Sequence, residues 1–215
     1  MLSKLNQVQR EAVTYLDGPL LVLAGAGSGK TRVITHKIAY LIDQCGYAAR
    51  NIAAITFTNK AANEMRERVG TLAQDSNTKG LVVSTFHSLG MNILRAEAGL
   101  LGYKPQFSIF DSSDTWKIIS ELTNSGDKQE IRDIQTQVSN WKSAFVSPDK
   151  AAQIAENEEA KLHARIYSRY QETLRAYQAV DFDDLIHLPV VLFNEHPEAL
   201  LRWQQRLRYL LVDEY

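Results

Sequence analysis

A glycine-rich loop between an apolar run and a helical pattern is the feature that most limits how this chain can fold. The stretch LLVLAGAGSGKT (20–31) follows the turn signal DGP, and residues 20–24 are continuously apolar, which is typical of a buried parallel strand. Residues 30–45 then place apolar side chains at helical spacing. A strand, a glycine-rich loop and a helix in this order predict a loop that binds phosphate groups.

Apolar strands and amphipathic helices continue to alternate downstream. IAAITF (52–57) and LVVSTF (81–86) are predicted as the second and third strands, each followed by a helix. RYLLVDEY (208–215) is predicted as a further strand. Because such alternation implies right-handed crossovers, we expect an α/β fold with a parallel sheet covered by helices.

The block from residue 88 to residue 196 has a different character. Its apolar side chains recur at helical spacing, and no strong strand pattern appears before residue 208. Residues 1–87 carry more Lys and Arg than Asp and Glu, whereas residues 88–196 carry the opposite excess. We therefore predict one domain formed by 1–87 and 197–215, interrupted by a mostly helical domain at 88–196.

Composition limits the class of protein and the cellular compartment that fit this chain. Its 215 residues are 45% hydrophobic and 23% charged, with a net charge of −1, so a folded core is expected and no overall basic field points to a partner. The single cysteine, Cys45, rules out a disulfide within the chain. No apolar run has the length of a membrane helix, and no signal-peptide pattern opens the sequence. These features predict a cytoplasmic protein with no membrane partner.

The stretch AGAGSGKT (24–31) fits the spacing of a Walker A motif. Glycines let the backbone approach phosphates without a Cβ clash, and Lys30 brings a positive charge to the β- and γ-phosphates. The Thr31 hydroxyl is a ligand for Mg²⁺. The loop residues of this predicted nucleotide site are Ala24, which stands where Gly is commoner, Gly25, Ala26, Gly27, Ser28 and Gly29.

The end of the last predicted strand carries two acids in LLVDEY (210–215). Asp213 is predicted to hold Mg²⁺, and Glu214 to orient and deprotonate an attacking water. The pattern is weak by itself because strands often end in solvated acids. It gains weight beside a Walker A loop, because both motifs then lie at the carboxyl edge of one parallel sheet.

Two further strand ends carry hydroxyl, aromatic and amide side chains. TFTNKAANEM (56–65) and STFHSLG (84–90) place such groups where they can bind a phosphate backbone and stack on a base. Phe57 and Phe86 fit a core position equally well. Thr58 or Asn59 fits a helix cap, and Asn59 also fits a DNA contact.

In order and spacing, these motifs and LNQVQREAV (5–13) resemble the superfamily-1 helicases of the Rep, UvrD and PcrA group. QCGYAARNIAAITFTNKAA and VSNWKSAF look closest to the Rep branch. The resemblance covers the whole chain and implies a 3′–5′ single-stranded DNA translocase and helicase that uses ATP and Mg²⁺. It also implies a RecA-like P-loop domain, called 1A, interrupted by a helical domain, 1B. Single-stranded DNA and junctions with duplex DNA are the partners implied.

The resemblance assigns roles to individual residues. Gln9 is matched with a glutamine that reads the adenine edge, and Arg32 with a residue near the base. Lys30, Asp213 and Glu214 are matched with the catalytic residues, and Thr31 and Asp213 with the Mg²⁺ ligands. The residues matched with DNA contacts are Thr56, Phe57, Asn59, Thr85, Phe86 and His87. The acids of DFDDL (181–185) resemble a segment to which we assign no catalysis.

The family pattern extends beyond the sequence of this chain. In that pattern the acidic motif continues with Gln-Asp, then the remaining 1A strands and a second RecA-like domain with an arginine finger. We therefore expect an N-terminal part of a longer helicase, with an incomplete 1A domain and one wall of the ATP site. The alternatives are a nucleotide- or DNA-binding module without turnover, and a P-loop ATPase or nucleoside kinase that is not a helicase. The TFTNKAA and STFHS stretches argue against the last.

Overall fold

Helices make up most of the chain, for which a computed structural model describes residues 2–73 and 78–214. The helices are α1 Gln7–Thr14, α2 Lys30–Asp43, α3 Asn59–Ala73, α4 Phe86–Glu97, α5 Ser112–Thr123, α6 Lys128–Ser143, α7 Pro148–Ile154, α8 Glu158–Ala176, α9 Asp184–Glu195 and α10 Pro197–Arg206. The strands are β1 Ile52–Thr56, β2 Val82–Thr85, β3 Ser108–Phe110, β4 Ala179–Asp181 and β5 Tyr209–Val212.

The chain divides into two compact units. The first comprises Met1–Phe86 and Leu200–Tyr215, and the second comprises His87–Ala199. The sequence pattern placed these boundaries after residues 87 and 196. The second unit therefore interrupts the first along the chain.

The first unit contains a three-stranded parallel sheet in the order β2-β1-β5. The central strand is buried at all five positions, as expected for a strand with neighbours on both sides. Helices α2 and α3 supply most of the apolar core beside it, and Cys45 packs against that core. The predicted mixture of helices with a parallel sheet is confirmed for these three strands.

The strand predicted at residues 20–24 is absent from the described structure. These residues have no regular secondary structure, and the apolar side chains of Leu21 and Leu23 are 63% and 86% exposed. An apolar run forms a strand only when a neighbouring strand completes its hydrogen bonds. Within the described residues the run has no such neighbour, so the prediction of a buried strand was wrong here.

The second unit is mostly helical, as predicted, but it also contains a small sheet that the sequence pattern missed. Strands β3 and β4 pair in parallel, with Ile109 opposite Val180. Three residues are too few to show a periodicity, which explains the omission. Helix α4 approaches α9 closely at Gly90, where a Cβ would lie 1.8 Å from the carbonyl oxygen of Leu185.

Candidate functional site

The glycine-rich loop leads directly into the start of α2. Gly27 and Gly29 have φ values of 74° and 90°, a region that other L-residues rarely adopt. Gly29 is the N-cap of α2 and has no side chain with which to cap the first N–H groups. The positive end of the α2 dipole therefore faces the loop, as an anion site requires.

The Lys30 side chain lies across this loop. Its ammonium group donates hydrogen bonds to the carbonyl oxygens of Ala24, at 2.9 Å, and Gly25, at 3.0 Å. The positive charge is thereby held beside the backbone that the sequence assigns to phosphate binding.

The structure brings the loop and the acidic strand end together. The Thr31 hydroxyl donates to the Asp213 carboxylate, with 3.3 Å between Oγ1 and Oδ2. Asp213 is only 8% exposed, and its backbone N–H donates to Ile55 of the central strand at 2.8 Å. Glu214 follows as an exposed residue with φ of 60°. Two oxygen atoms that could act as metal ligands, from distant parts of the chain, therefore meet at one edge of the sheet.

Helix α1 contacts the same loop through Gln9. The side-chain amide of Gln9 donates from Nε2 to the carbonyl oxygen of Ser28 at 3.0 Å, while Oε1 accepts from the N–H of Asn6. A Cβ at Gly29 would lie 3.0 Å from the same Nε2, so the helix and the loop are closely apposed. Arg32 lies in the first turn of α2 and is exposed.

Strands β1 and β2 each end in a buried threonine that is followed by an exposed phenylalanine. Thr56 and Thr85 are opposite one another in the sheet, and both are buried. The residues that follow them, Phe57 and Phe86, are 76% and 46% exposed, so neither is a core residue. Asn59 begins α3 and is exposed. Because parallel strands end at a common edge, Phe57 and Phe86 leave the sheet on the same side.

His87 is the first residue of the second unit and stacks edge-on against Phe182, with 6.2 Å between ring centroids. Phe182 is 54% exposed. Phe182 was not among the residues predicted to bind DNA. Its place between the acids of DFDDL was the available signal, because an aromatic residue between charged residues is often exposed.

A comparison with known protein families matches residues 5–215 to the UvrD/REP helicase N-terminal domain. The chain belongs to this family. It is 49% identical to the ATP-dependent DNA helicase Rep of Escherichia coli over 99% of its own length and 32% of that helicase. It is 43% identical to the ATP-dependent DNA helicase PcrA of Leuconostoc citreum, over 98% of its own length and 29% of that protein. The chain thus spans about a third of these relatives.

In this UvrD/REP-type domain two of the three acids of DFDDL, Asp181 and Asp184, form a buried ionic cluster in the second unit. The Lys142 ammonium donates to Asp181 at 2.6 Å and to Asp184 at 2.8 Å, and the Tyr170 hydroxyl also donates to Asp181. The N–H groups of the two aspartates bond each other's carboxylates. These contacts give Asp181 and Asp184 a structural role, which agrees with the expectation that the acids of DFDDL take no part in catalysis.

The pKa values in this cluster reflect burial and pairing. Burial raises the pKa of Asp184 to about 6. Burial alone would also raise the pKa of Asp181, but attraction to the Lys142 ammonium and the hydrogen bonds hold it below its usual range. Burial opposes the charge on Lys142, yet the two carboxylates raise its pKa.

Lys37 in α2 is a second buried lysine that the sequence analysis overlooked. Its side chain donates to the carbonyl oxygens of Ala12 and Tyr15. Lys37 lies four residues after Val33 and four before Leu41, which are two of the apolar residues that recur at helical spacing in 30–45. That spacing was the available signal that Lys37 is buried.

The UvrD/REP-type domain supplies few ligands for a metal by itself. Within residues 2–73 and 78–214 there is no group of three or more His, Cys, Asp or Glu side chains placed to hold a metal ion. The Thr31 and Asp213 oxygens still fit Mg²⁺, which commonly takes one or two protein ligands and completes its shell with water and phosphate oxygens.

In residues 2–73 and 78–214, no helix has the length and apolar composition that a membrane crossing requires.

Proposed function

We propose that this chain is the ATP-binding N-terminal part of a longer 3′–5′ single-stranded DNA translocase and helicase. The hydrogen bond between Thr31 and Asp213 carries the proposal, because it joins the phosphate loop to the acidic strand end. Membership of the UvrD/REP family and relatives named ATP-dependent DNA helicases support it. The assignment of the two units as domains 1A and 1B, and a cytoplasmic location, belong to the same proposal.

The proposed chemistry divides among the residues of the loop and the strand end. Hydrolysis would break the phosphoanhydride bond between the β- and γ-phosphates of ATP, and Mg²⁺ would neutralise charge on those phosphates. The loop N–H groups and the N-terminus of α2 would bind the phosphates, and Lys30 would add a positive charge. Thr31 and Asp213 would hold the ion. Glu214 would accept a proton from the water whose oxygen attacks the γ-phosphorus as the bond to the leaving ADP breaks.

This chain provides one wall of the proposed site, with Gln9 and Arg32 at the base. An arginine finger accelerates phosphoryl transfer by about 10³–10⁵-fold in related systems. We therefore infer that the chain alone binds ATP but turns it over slowly. Stimulation of its turnover by DNA to the rate of a complete helicase would contradict this inference.

The Lys30→Ala variant tests the nucleotide site in the chain itself. We expect about 10- to 100-fold weaker binding of ATP with Mg²⁺, because charge-assisted hydrogen bonds to phosphate are lost. Equilibrium titration with a fluorescent ATP analogue measures the change. Lys128→Met, at an exposed lysine of α6, is the control and should bind as the wild type does. Equal affinities for wild type and Lys30→Ala would exclude the proposed phosphate loop.

The exposed ends of β1 and β2 support the DNA part of the proposal. Phe57 and Phe86 leave one edge of the sheet as exposed rings, which is the arrangement that stacks successive bases. Asn59 can donate its amide to a phosphate. Thr56 and Thr85 are buried, so we assign them to shaping this edge, and His87 follows directly. Junctions between single-stranded and duplex DNA remain part of the proposed substrate.

Phe57→Ala tests this surface in the longer helicase. Loss of one stacking platform should weaken single-stranded DNA binding about 5- to 100-fold, since stacking on one base contributes about 1–3 kcal/mol. Fluorescence anisotropy with a labelled oligonucleotide measures it. Tyr177→Ala removes a comparably exposed ring (64%) from the second unit and should change little. If both variants bind DNA like the wild type, the edge is not a DNA surface.

These experiments also separate the alternatives. Binding of ATP and DNA by the longer protein with no turnover would favour a binding module. Turnover that DNA does not affect, together with a silent Phe57→Ala variant, would favour a P-loop ATPase that is not a helicase.

A further inference from the structure

Lys37 is a buried cation in the middle of α2. It is 4% exposed. Within residues 2–73 and 78–214, Lys37 forms no ion pair with an Asp or Glu. Burial lowers the pKa of Lys37, because removal from water disfavours the charged form. A lysine kept in such a place must be held by strong hydrogen bonds.

The hydrogen bonds of Lys37 end on the last turn of α1. Its ammonium group donates to Ala12 within that turn, at 3.1 Å, and to Tyr15, the C-cap residue. Carbonyl groups at the C-terminal end of a helix lack partners within the helix and carry the negative end of its dipole. A cation at this position therefore fixes the end of α1 to α2.

Lys37 also touches the strand that leads to the acidic end of the sheet. Its Nζ lies 5.7 Å from the centroid of the Tyr209 ring in β5, within range of a cation–π contact. Asp213 follows at the end of the same strand. On its own helix, Lys37 lies about two turns after Lys30. Lys37, itself part of α2, thus contacts the end of α1 and the start of β5.

Helix α1 is consequently attached to the phosphate-loop region at both ends. At its start, Gln9 donates to the Ser28 carbonyl oxygen, and at its end Lys37 binds Ala12 and Tyr15. If the attachment at the end of α1 is lost, the hydrogen bond from Gln9 to Ser28 is left as the contact that ties the helix to the loop. Helix α1 can then tilt, and the Gln9 amide is no longer held in one orientation beside the loop.

We propose that Lys37 is a positioning residue that holds α1 against α2 and thereby sets how well Gln9 selects adenine over other bases. This inference rests on the proposed function, in which Gln9 reads the base. Lys37 does not touch the nucleotide; it acts through the placement of α1. Removal of Lys37 should therefore reduce the preference for ATP over GTP and leave the binding of the triphosphate moiety intact.

The test compares Lys37→Met with wild type by titration of ATP, GTP and inorganic tripolyphosphate, each with Mg²⁺. The ratio of ATP to GTP affinity should fall about three- to tenfold, the equivalent of one lost hydrogen bond. Tripolyphosphate affinity should stay unchanged. Lys37→Arg keeps donors for both carbonyls and should restore the ratio. Lys128→Met makes the same chemical change at an exposed site and should have no effect.

Hydrogen exchange provides a second readout that does not depend on a nucleotide. In Lys37→Met the amides of α1 should exchange faster, while those of β1 and α3 keep the wild-type rate. If Lys37→Met does not fold, Lys37→Gln is measured, because it removes the charge but retains one donor on a shorter side chain.

The outcomes distinguish this inference from the proposed function. A wild-type chain that binds ATP and GTP equally would remove the base-reading role of Gln9. A wild-type preference for ATP that persists in Lys37→Met, with unchanged exchange in α1, would overturn the role of Lys37 alone. A parallel loss of ATP, GTP and tripolyphosphate binding, not restored by Lys37→Arg, would indicate general destabilisation and would also overturn it.

Discussion

Replacing Glu214 by Gln in the longer helicase should lower the rate of ATP hydrolysis by about 10²–10⁴-fold, the usual contribution of a general base. Gln keeps the size of the side chain but cannot accept the proton from water. ATP binding should persist, because Lys30, Thr31 and Asp213 are unchanged. Steady-state phosphate release in the presence of single-stranded DNA measures the rate, and nucleotide titration measures the affinity.

The control for this experiment is Glu172→Gln, which makes the same change at an exposed position of α8. It should hydrolyse ATP at the wild-type rate. Glu214→Gln with normal turnover would mean that another group activates the water, and the acidic strand end would then serve only to bind the metal ion. Loss of both binding and turnover would place Glu214 among the binding residues.

The second large effect is expected at the buried ionic cluster of Lys142, Asp181, Asp184 and Tyr170. Lys142→Met should lower the free energy of unfolding by about 3–5 kcal/mol, because it leaves two carboxylates buried without their cation. Urea denaturation, followed by tryptophan fluorescence, to which Trp141 beside Lys142 contributes, measures the change.

An exposed ion pair offers the matched control for Lys142. Lys161 pairs with Glu158 at 2.8 Å, but the two side chains are 52% and 88% exposed. Lys161→Met should therefore change the free energy of unfolding by about 1 kcal/mol or less. Adding Asp181→Asn and Asp184→Asn to Lys142→Met should recover part of the loss, since the buried charges are then gone. Equal stabilities for the two lysine variants would show that the cluster does not stabilise the second unit.

Much of the first unit could be predicted because its signals are local. The apolar spacing of α2, the continuous apolar run of β1 and the glycines before Lys30 each lie within a few residues of one another. The expectation that Thr31 and Asp213 lie near each other needed only one additional rule, that parallel strands end at a common edge. The hydrogen bond between them now adds a specific geometry to that expectation.

Other features depend on partners that a local pattern does not contain. Residues 20–24 are as apolar as a buried strand, yet they are exposed because no neighbour in the described residues completes their backbone hydrogen bonds. The sequence left the exposure of Phe57 and Phe86 open, because an aromatic residue after a strand fits a core or a binding surface equally well. Only the surrounding packing distinguishes the two cases.

The sequence by itself determined the order of the phosphate loop, the strand ends and the acidic motif, and with them the family resemblance that the comparisons confirmed. Only the tertiary structure decided which charged residues are buried. The sequence does not name the partners of Lys37 or Lys142, even though the spacing of Lys37 from Val33 and Leu41 places it on the apolar side of its helix. The two lysines are buried because carbonyl and carboxylate oxygens from distant parts of the chain replace the water that each ammonium group would otherwise bind.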